Sequence, residues 1–220
     1  MSLAPGPVVA IDGPAGAGKS AVGRRAAERL GLPFLDSGLL YRAVTWLALE
    51  RGVASTDVGA LVEIASAPDL EVTGGSVRQG TRDLGPYVHQ PEILWNLSAI
   101  SALGPVRDAI NARQRALAAG GMVVAGRDIG TVVFPSTPFK FFLTATVGER
   151  VRRRAAQLEK RGEPFDSEAM TREIATRDQL DSSREVAPLR PAADAVIIDT
   201  DGLDLEAVVD AVVSRVRNAV

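Results

Sequence analysis

The eight residues at 13–20, Gly-Pro-Ala-Gly-Ala-Gly-Lys-Ser, match the pattern G-x-x-x-x-G-K-[ST]. They lie between a short apolar run that predicts a strand (7–11) and a run that predicts a helix (19–30). Glycines let successive backbone N–H groups face one anion, and the helix start adds its positive dipole end. Lys19 can reach the β- and γ-phosphates, and the Ser20 hydroxyl can ligate Mg²⁺. The segment therefore predicts a nucleoside-triphosphate site.

A phosphate-binding loop does not by itself say where the γ-phosphate goes. A GTPase would also need the guanine-reading pattern N-K-x-D, which does not occur in the sequence. The D-x-x-G at 199–202 comes too late in the chain for a GTPase switch, and we interpret it as a strand-to-helix turn. Large ATP-driven motors need more than 220 residues. A small phosphotransferase remains, in which arginines hold a second, anionic substrate.

Arginine and aspartate recur at spacings that could build such a second site. Arg177, Asp181 and Arg184 share one face of a predicted helix, although a solvated salt-bridge face is the usual meaning of such a set. The run 149–154 also predicts a helix, with its arginines away from the apolar stripe. Arg127-Asp128 follows a predicted strand at the sheet edge where ligands of open α/β sheets bind.

The composition excludes several classes of function. Cysteine is absent and His89 is the only histidine, which excludes disulfides, zinc-thiolate sites, thiol catalysis, multi-histidine metal sites and a Ser-His-Asp triad. The net charge of −2 gives no reason to expect binding to nucleic acid or to anionic membranes. The sequence shows neither a signal peptide nor an apolar run of 18 residues, so we expect a cytoplasmic protein.

The elements that would position these residues alternate along the chain. Short apolar runs predict strands at 7–11, 32–35, 122–125, 139–143 and 195–198. Helical patterns fall at 19–30, 39–51, 57–66, 91–119 (interrupted at Gly104-Pro105), 147–183 (interrupted near 162–164) and 205–216. This order predicts an α/β fold with a parallel sheet flanked by helices. Alternation around Gly74-Gly75 predicts a small antiparallel insert at 68–86.

Five blocks of sequence together resemble the bacterial cytidylate kinase family. They are the segment 13–20, Leu-Asp-Ser-Gly-x-x-Tyr-Arg at 35–42, Val-Arg at 106–107, Gly-Arg-Asp-Ile-Gly-Thr-Val-Val-Phe-Pro at 126–135, and Arg-Asp-x-x-Asp-x-x-Arg-x-x-x-Pro-Leu at 177–189. The resemblance runs from about Pro7 to the C-terminus and implies transfer of the γ-phosphate of ATP to CMP or dCMP, with Mg²⁺. Another small P-loop kinase and a non-catalytic nucleotide-binding module are the alternatives.

The resemblance implies one P-loop kinase domain over residues 1–220, which we expect to be a monomer. Its core would comprise 7–35, 122–146 and 185–220, and its substrate lobe about 36–121, with the insert at about 68–90. An arginine-rich helical lid would occupy about 147–184.

The resemblance also assigns the site residues. ATP would bind at Gly13, Pro14, Ala15, Gly16, Ala17, Gly18, Lys19, Ser20 and Ala21, with Ser20 on the metal. CMP would bind at Ser37, Arg42, Ser98, Arg107, Arg127, Asp128, Arg177, Asp181 and Arg184. The groups expected to act in catalysis are Lys19, Asp128 and the lid residues Arg153 and Arg154. Catalysis would then consist of positioning and charge neutralisation.

The sequence departs from the family pattern in three places. Ala21 stands where a threonine usually follows the P-loop serine, and Ala125 stands where an acidic residue usually precedes the glycine. Val88-His89 replaces the usual Ile-Arg, and we expect His89 to be a surface residue without a role.

Overall fold

The computed structural model describes residues 6–219. The strands are β1 (Val8–Asp12), β2 (Phe34–Asp36), β3 (Leu70–Thr73), β4 (Ser76–Gln79), β5 (Arg82–Asp83), β6 (Met122–Ala125), β7 (Phe139–Thr144) and β8 (Val196–Asp199). The α-helices are α1 (Lys19–Leu30), α2 (Ser37–Glu50), α3 (Val58–Ser66), α4 (Pro91–Ser101), α5 (Gly104–Leu117), α6 (Val147–Glu159), α7 (Ser167–Ser182) and α8 (Leu205–Arg217).

Five of these strands form one sheet in the order β2-β6-β1-β7-β8, and every pairing in it is parallel. The central strands are short apolar runs that are buried on both faces, as parallel strands between two helical layers must be. The predicted α/β fold with a parallel sheet is confirmed. Among the described residues, no helix is long and apolar enough to cross a bilayer.

The register of the sheet brings the carboxyl ends of three strands side by side. Ala125 at the end of β6 pairs with Asp36 of β2 on one side and with Ile11 of β1 on the other. The phosphate-binding loop leaves β1 at the same edge, and the segment after β6 leaves beside it. The predicted site residues at the ends of these three strands therefore lie together at one edge of the sheet.

Two apolar clusters hold the sheet between its helical layers. One contains buried residues of α2, α3 and α5 together with the small antiparallel sheet, and the other contains residues of α1 and α8. The α6–α7 pair has a separate cluster of three buried residues, Val151, Met170 and Ile174. The pair therefore packs mainly on itself.

The predicted insert is confirmed as an antiparallel sheet, and β5 adds a third strand to the expected hairpin. Gly74 and Gly75 form its turn with φ angles of 58° and 90°, values that favour glycine. The break at Gly104-Pro105 is also confirmed, since α5 begins there with the proline in its first turn. A π-helical turn at Ile129–Val133 was not predicted.

Candidate active site

A cavity of about 980 Å³ opens at the edge where β1, β2 and β6 end. Its walls come from the phosphate-binding loop, α2, the segment after β6 and the α6–α7 pair. Arginines dominate the lining; those predicted for the site are Arg42, Arg107, Arg127, Arg153, Arg154, Arg177 and Arg184. Such a concentration of cations in one cavity suits polyanionic ligands.

The phosphate-binding loop joins β1 to α1 and depends on its glycines. Gly16 and Gly18 have φ angles of 80° and 92°, and a Cβ on Gly16 would lie 3.0 Å from Cβ of Arg150. A Cβ on Gly13 would collide with the backbone oxygen of Leu143 on β7. The loop can therefore wrap the start of α1 only with these glycines.

Lys19, the first residue of α1, turns back over this loop. Its Nζ donates to the backbone oxygen of Pro14 at 2.7 Å. Burial, and then the neighbouring cation Arg127, lower the pKa of Lys19 well below its usual value, against the opposing pull of Asp36 and Asp12. An anion in the loop would offset both effects, because a nearby negative charge favours the charged amine, and this is the electrostatic condition of a phosphate site.

Ser20 lies one residue further along α1 and points at the end of β2. Its Oγ donates to Oδ2 of Asp36 at 2.6 Å, while Oδ1 of the same carboxylate accepts from the backbone N–H of Gly38 and caps α2. A hydroxyl and a carboxylate thus face each other beside the loop. These are oxygen donors of the kind that Mg²⁺ prefers.

Asp181 on α7 organises a group of arginines at the opposite wall. It accepts from Arg127 Nε at 2.7 Å and from Arg184, and Arg177 lies 4.0 Å away. Burial alone would raise the pKa of Asp181, but the three cations outweigh it and lower that pKa. Burial and Arg127 lower the pKa of Arg177 to about 10. One carboxylate therefore interacts with three guanidinium groups, and the cluster keeps a net positive charge.

Asp128 lies on the floor of the cavity and is almost completely buried. Its Oδ2 accepts from Arg107 Nη2 at 2.5 Å, and Arg107 Nη1 donates to the backbone oxygen of Ser101 at 2.9 Å. The Arg107 guanidinium also lies over the ring of Tyr41, 5.3 Å from its centre. Asp128 is thus fixed from α5 and presents a carboxylate to the cavity.

The arginines of α6 lie in different parts of the wall. Arg150 donates through Nη1 to the backbone oxygen of Ala15 at 3.1 Å and through Nη2 to Oδ2 of Asp178. Arg153 donates to Thr200 through both Nη atoms. Arg154 is exposed and lines the cavity. Arg150, which was not assigned to the site from the sequence, thus donates to the phosphate-binding loop from α6, as Arg127 does to the backbone oxygen of Gly13 at 2.8 Å from the segment after β6.

Most residues assigned from the sequence converge on this cavity. Ser98 does not line it, whereas Ser101, one helical turn further along α4, does, and its Oγ accepts from Arg184 at 3.2 Å. His89 is exposed, as expected, but it lines the cavity against Arg42. Sequence reasoning also missed Asp36, although its place at the end of a predicted strand at the ligand-binding edge is a usable signal.

The fold and the cavity define a P-loop nucleotide-binding α/β domain. The model of the family described as cytidylate kinase matches residues 9–218, and the chain belongs to that family.

The chain is 48% identical to a bifunctional pantoate ligase/cytidylate kinase from Synechococcus sp. (strain CC9605), covering 97% of this chain and 46% of the relative. It is 46% identical to a protein of the same name from Nostoc sp., covering 94% of this chain and 40% of the relative. The chain thus spans less than half the length of these curated relatives. A gluconokinase from Sinorhizobium meliloti 1021 covers 98% of this chain and 93% of its own, with 19% identity and a TM-score of 0.47, a likeness too loose to bear on the substrate.

Proposed function

We propose that this protein is a cytidylate kinase that transfers the γ-phosphate of ATP to CMP or dCMP and forms ADP. The observation that carries the proposal is the cavity itself. A phosphate-binding loop forms one end, and pairs of arginine and aspartate form the other. Membership of the cytidylate kinase family supports CMP as the acceptor.

On the acceptor side, we assign the phosphate of CMP to Arg42, Arg127 and Arg177. Their guanidinium groups suit a phosphate dianion, and the lowered pKa values of Arg42 and Arg177 indicate cations that gain from an anion. We assign the cytosine to Asp128, since a carboxylate accepts from its exocyclic amine. Ser37, Asp181 and Arg184 complete this pocket, and Ser98 would join it only if α4 moves.

On the donor side, the loop 13–21 would bind the triphosphate, and Lys19 would neutralise its β- and γ-oxygens. Ser20 and Asp36 fit Mg²⁺, because both side chains offer oxygen ligands and Ser20 Oγ lies 2.6 Å from Asp36 Oδ2. Groups of three or more acidic or histidine side chains able to cage a metal do not occur among residues 6–219. The ion would therefore arrive with the nucleotide, and it would supply charge neutralisation at the phosphates.

The reaction needs no side-chain nucleophile. An oxygen of the CMP phosphate forms the new bond to the γ-phosphorus, and the bond to the β,γ-bridging oxygen breaks, so that ADP leaves with the electron pair. The protein aligns the two phosphates and holds cations around them. Arg153 and Arg154 remain the predicted lid arginines, and the contact of Arg150 with Ala15 adds it as a third candidate.

We also propose that the α6–α7 pair is the lid that excludes water during transfer, and its separate apolar cluster supports independent movement. We expect no binding to nucleic acid, because the net charge is −2 and many of the arginines line the cavity. We also expect a cytoplasmic protein, as the sequence indicates, and a monomer. Size-exclusion chromatography at several concentrations tests the oligomeric state.

The test of function is ADP release in the presence of ATP, Mg²⁺ and each common nucleoside monophosphate in turn. We expect CMP or dCMP to give the highest kcat/KM. A higher value for AMP, GMP, UMP or dTMP would point to a different P-loop kinase. ATP hydrolysis that is indifferent to the acceptor would favour a nucleotide-binding module.

A further inference from the structure

His89 lies in the segment between the small antiparallel sheet and α4, at the wall of the cavity. Its Nδ1 is 3.1 Å from Nη1 of Arg42 on α2. A guanidinium can only donate, so Nδ1 accepts this hydrogen bond and the ring is neutral with its proton on Nε2. The free protein therefore holds His89 uncharged.

Arg42 differs from the other arginines of the acceptor pocket. Arg107, Arg127 and Arg184 are each paired with an aspartate. Arg42 is instead held by a neutral imidazole, so its charge is not balanced by the contact. A phosphate bound by Arg42 would lie within about two hydrogen-bond lengths of the His89 ring.

The charged groups around His89 come from four places in the fold. Arg42 is on α2, Arg154 is on α6, Arg161 follows α6, and Asp36 at the end of β2 opposes them. Partial burial of the His89 ring at the cavity wall, and then Arg42 and Arg161, lower the pKa of His89 below its usual value. A dianion among these cations would reverse their effect on the imidazole, because an anion nearby favours the charged ring.

We propose that His89 takes up a proton when CMP binds and then serves as a further cation for the CMP phosphate. This inference rests on the proposed binding of that phosphate by Arg42. Arg42 exchanges its neutral acceptor for the phosphate, and the released Nδ1 becomes a donor. His89 is in this way a phosphate-binding residue whose charge appears with the ligand, and the affinity for CMP is coupled to pH.

The direction in which pH changes the affinity for CMP follows from thermodynamic linkage. If bound CMP favours the charged ring, protonation of His89 must favour CMP by the same factor. The CMP phosphate itself loses charge as the pH falls, which weakens its binding and acts in every variant. The matched variant is His89→Asn, which keeps an oxygen acceptor near the place of Nδ1 and does not titrate. The ratio of the two dissociation constants therefore isolates His89.

The experiment measures CMP binding by calorimetry, without ATP, from pH 6 to pH 8 and in buffers of different ionisation enthalpy. We expect wild type and His89→Asn to bind equally at pH 8, and the variant to bind about three- to tenfold more weakly at pH 6. Near pH 6.5 the wild type should take up a fraction of a proton more than the variant, because release from the CMP phosphate is common to both proteins. Since His89 is the only histidine, NMR should show its pKa rising when CMP is added.

A constant ratio of dissociation constants, or a His89 pKa that stays unchanged or falls on addition of CMP, would overturn the inference while leaving the proposed function intact. Failure of the wild type to bind CMP at pH 8 would overturn the proposed function and this inference with it. Cytidine, which lacks the phosphate, is the ligand control and should leave the His89 signal where it is.

Discussion

Asp128 lies on the floor of the acceptor pocket, with Arg107 Nη2 at 2.5 Å from its Oδ2. If its carboxylate reads the cytosine amine, Asp128→Asn presents a donor where an acceptor is needed and tolerates the carbonyl of uracil. We expect the preference for CMP over UMP, as a ratio of kcat/KM values, to fall by about 1–3 kcal/mol, or roughly 5- to 150-fold.

The ratio also controls for damage to the fold, because a loss of folded enzyme through the weakened Arg107 pair affects both nucleotides equally. A fall in turnover that is equal for CMP and UMP, with unchanged circular dichroism and melting temperature, would assign Asp128 to the phosphates or the metal. Wild-type rates together with a wild-type ratio would remove Asp128 from the site.

Lys19 carries the clearest prediction for the donor side. Its Nζ lies over the loop against the backbone oxygen of Pro14, and its pKa is lowered by burial and Arg127. Lys19→Ala should reduce turnover roughly 100- to 1,000-fold, or raise the barrier by about 3–4 kcal/mol, because the cation that faces the transferring phosphoryl group is lost.

Lys19→Met is the matched variant, since it keeps the apolar stem without the charge. Equal losses in the two variants, with unchanged circular dichroism and unchanged CMP binding, would confirm an electrostatic role. Near-normal turnover in either variant would exclude Lys19 from the mechanism.

We expect the α6–α7 pair to open locally while the rest of the domain stays folded. Ile174 belongs to its cluster of three buried residues, whereas Leu40 of α2 lies in the large cluster beside the sheet. Leu40→Ala should destabilise the whole domain by about 2–5 kcal/mol and lower its melting temperature. Ile174→Ala should raise hydrogen exchange across α6 and α7 and lower turnover, with little change in the main transition.

An equal drop in melting temperature for both variants would show that the pair unfolds with the core. Protection of α6 and α7 that is unchanged in Ile174→Ala would show that the cluster does not hold the pair together. Either result would argue against the proposed lid as an independent element.

The predicted elements match the structure best where local signals govern them. Gly18 and Gly31 flank α1 at the residues expected from the sequence, and Gly104-Pro105 begins α5 shortly after Ala102 caps α4. The π-helical turn at Ile129–Val133 has no such signal. Asp12 binds the backbone N–H groups of Ile129 and Gly130, more than a hundred residues away. That contact depends on the strand order, which the sequence does not display.

The site residues also divide into those that a local sequence motif indicates and those that depend on contacts between distant elements. The phosphate-binding loop is one continuous motif, so its residues could be assigned from spacing. Asp36, Arg150 and His89 contribute through contacts with Ser20, Ala15 and Arg42, which lie on other elements. Their partners are known only when the sheet register and the position of α6 are known.

The molecule as a whole gathers cations around one cavity, and we expect this arrangement to destabilise the protein when no anion is bound. Arg177 lies on α7 at the cavity wall, and burial with Arg127 lowers its pKa to about 10. A cation whose pKa is lowered on folding opposes folding at every pH below that value. Arg177→Gln should therefore raise the melting temperature of the free protein by about 2–4 °C, the shift expected for roughly 1 kcal/mol.

The same substitution should reduce the rise in melting temperature that CMP produces, because that rise grows with affinity. Arg172→Gln is the matched control, since Arg172 is exposed on the same helix and forms a surface ion pair with Glu168. It should change neither the free melting temperature nor the response to CMP. The measurement is thermal unfolding of the three proteins at pH 7, with and without CMP. If free Arg177→Gln melts below the wild type, Asp181 already balances the neighbouring cations and they do not destabilise the free protein. If it melts above the wild type and its melting temperature rises less with CMP, the cations at this cavity lower the stability of the free protein and strengthen binding.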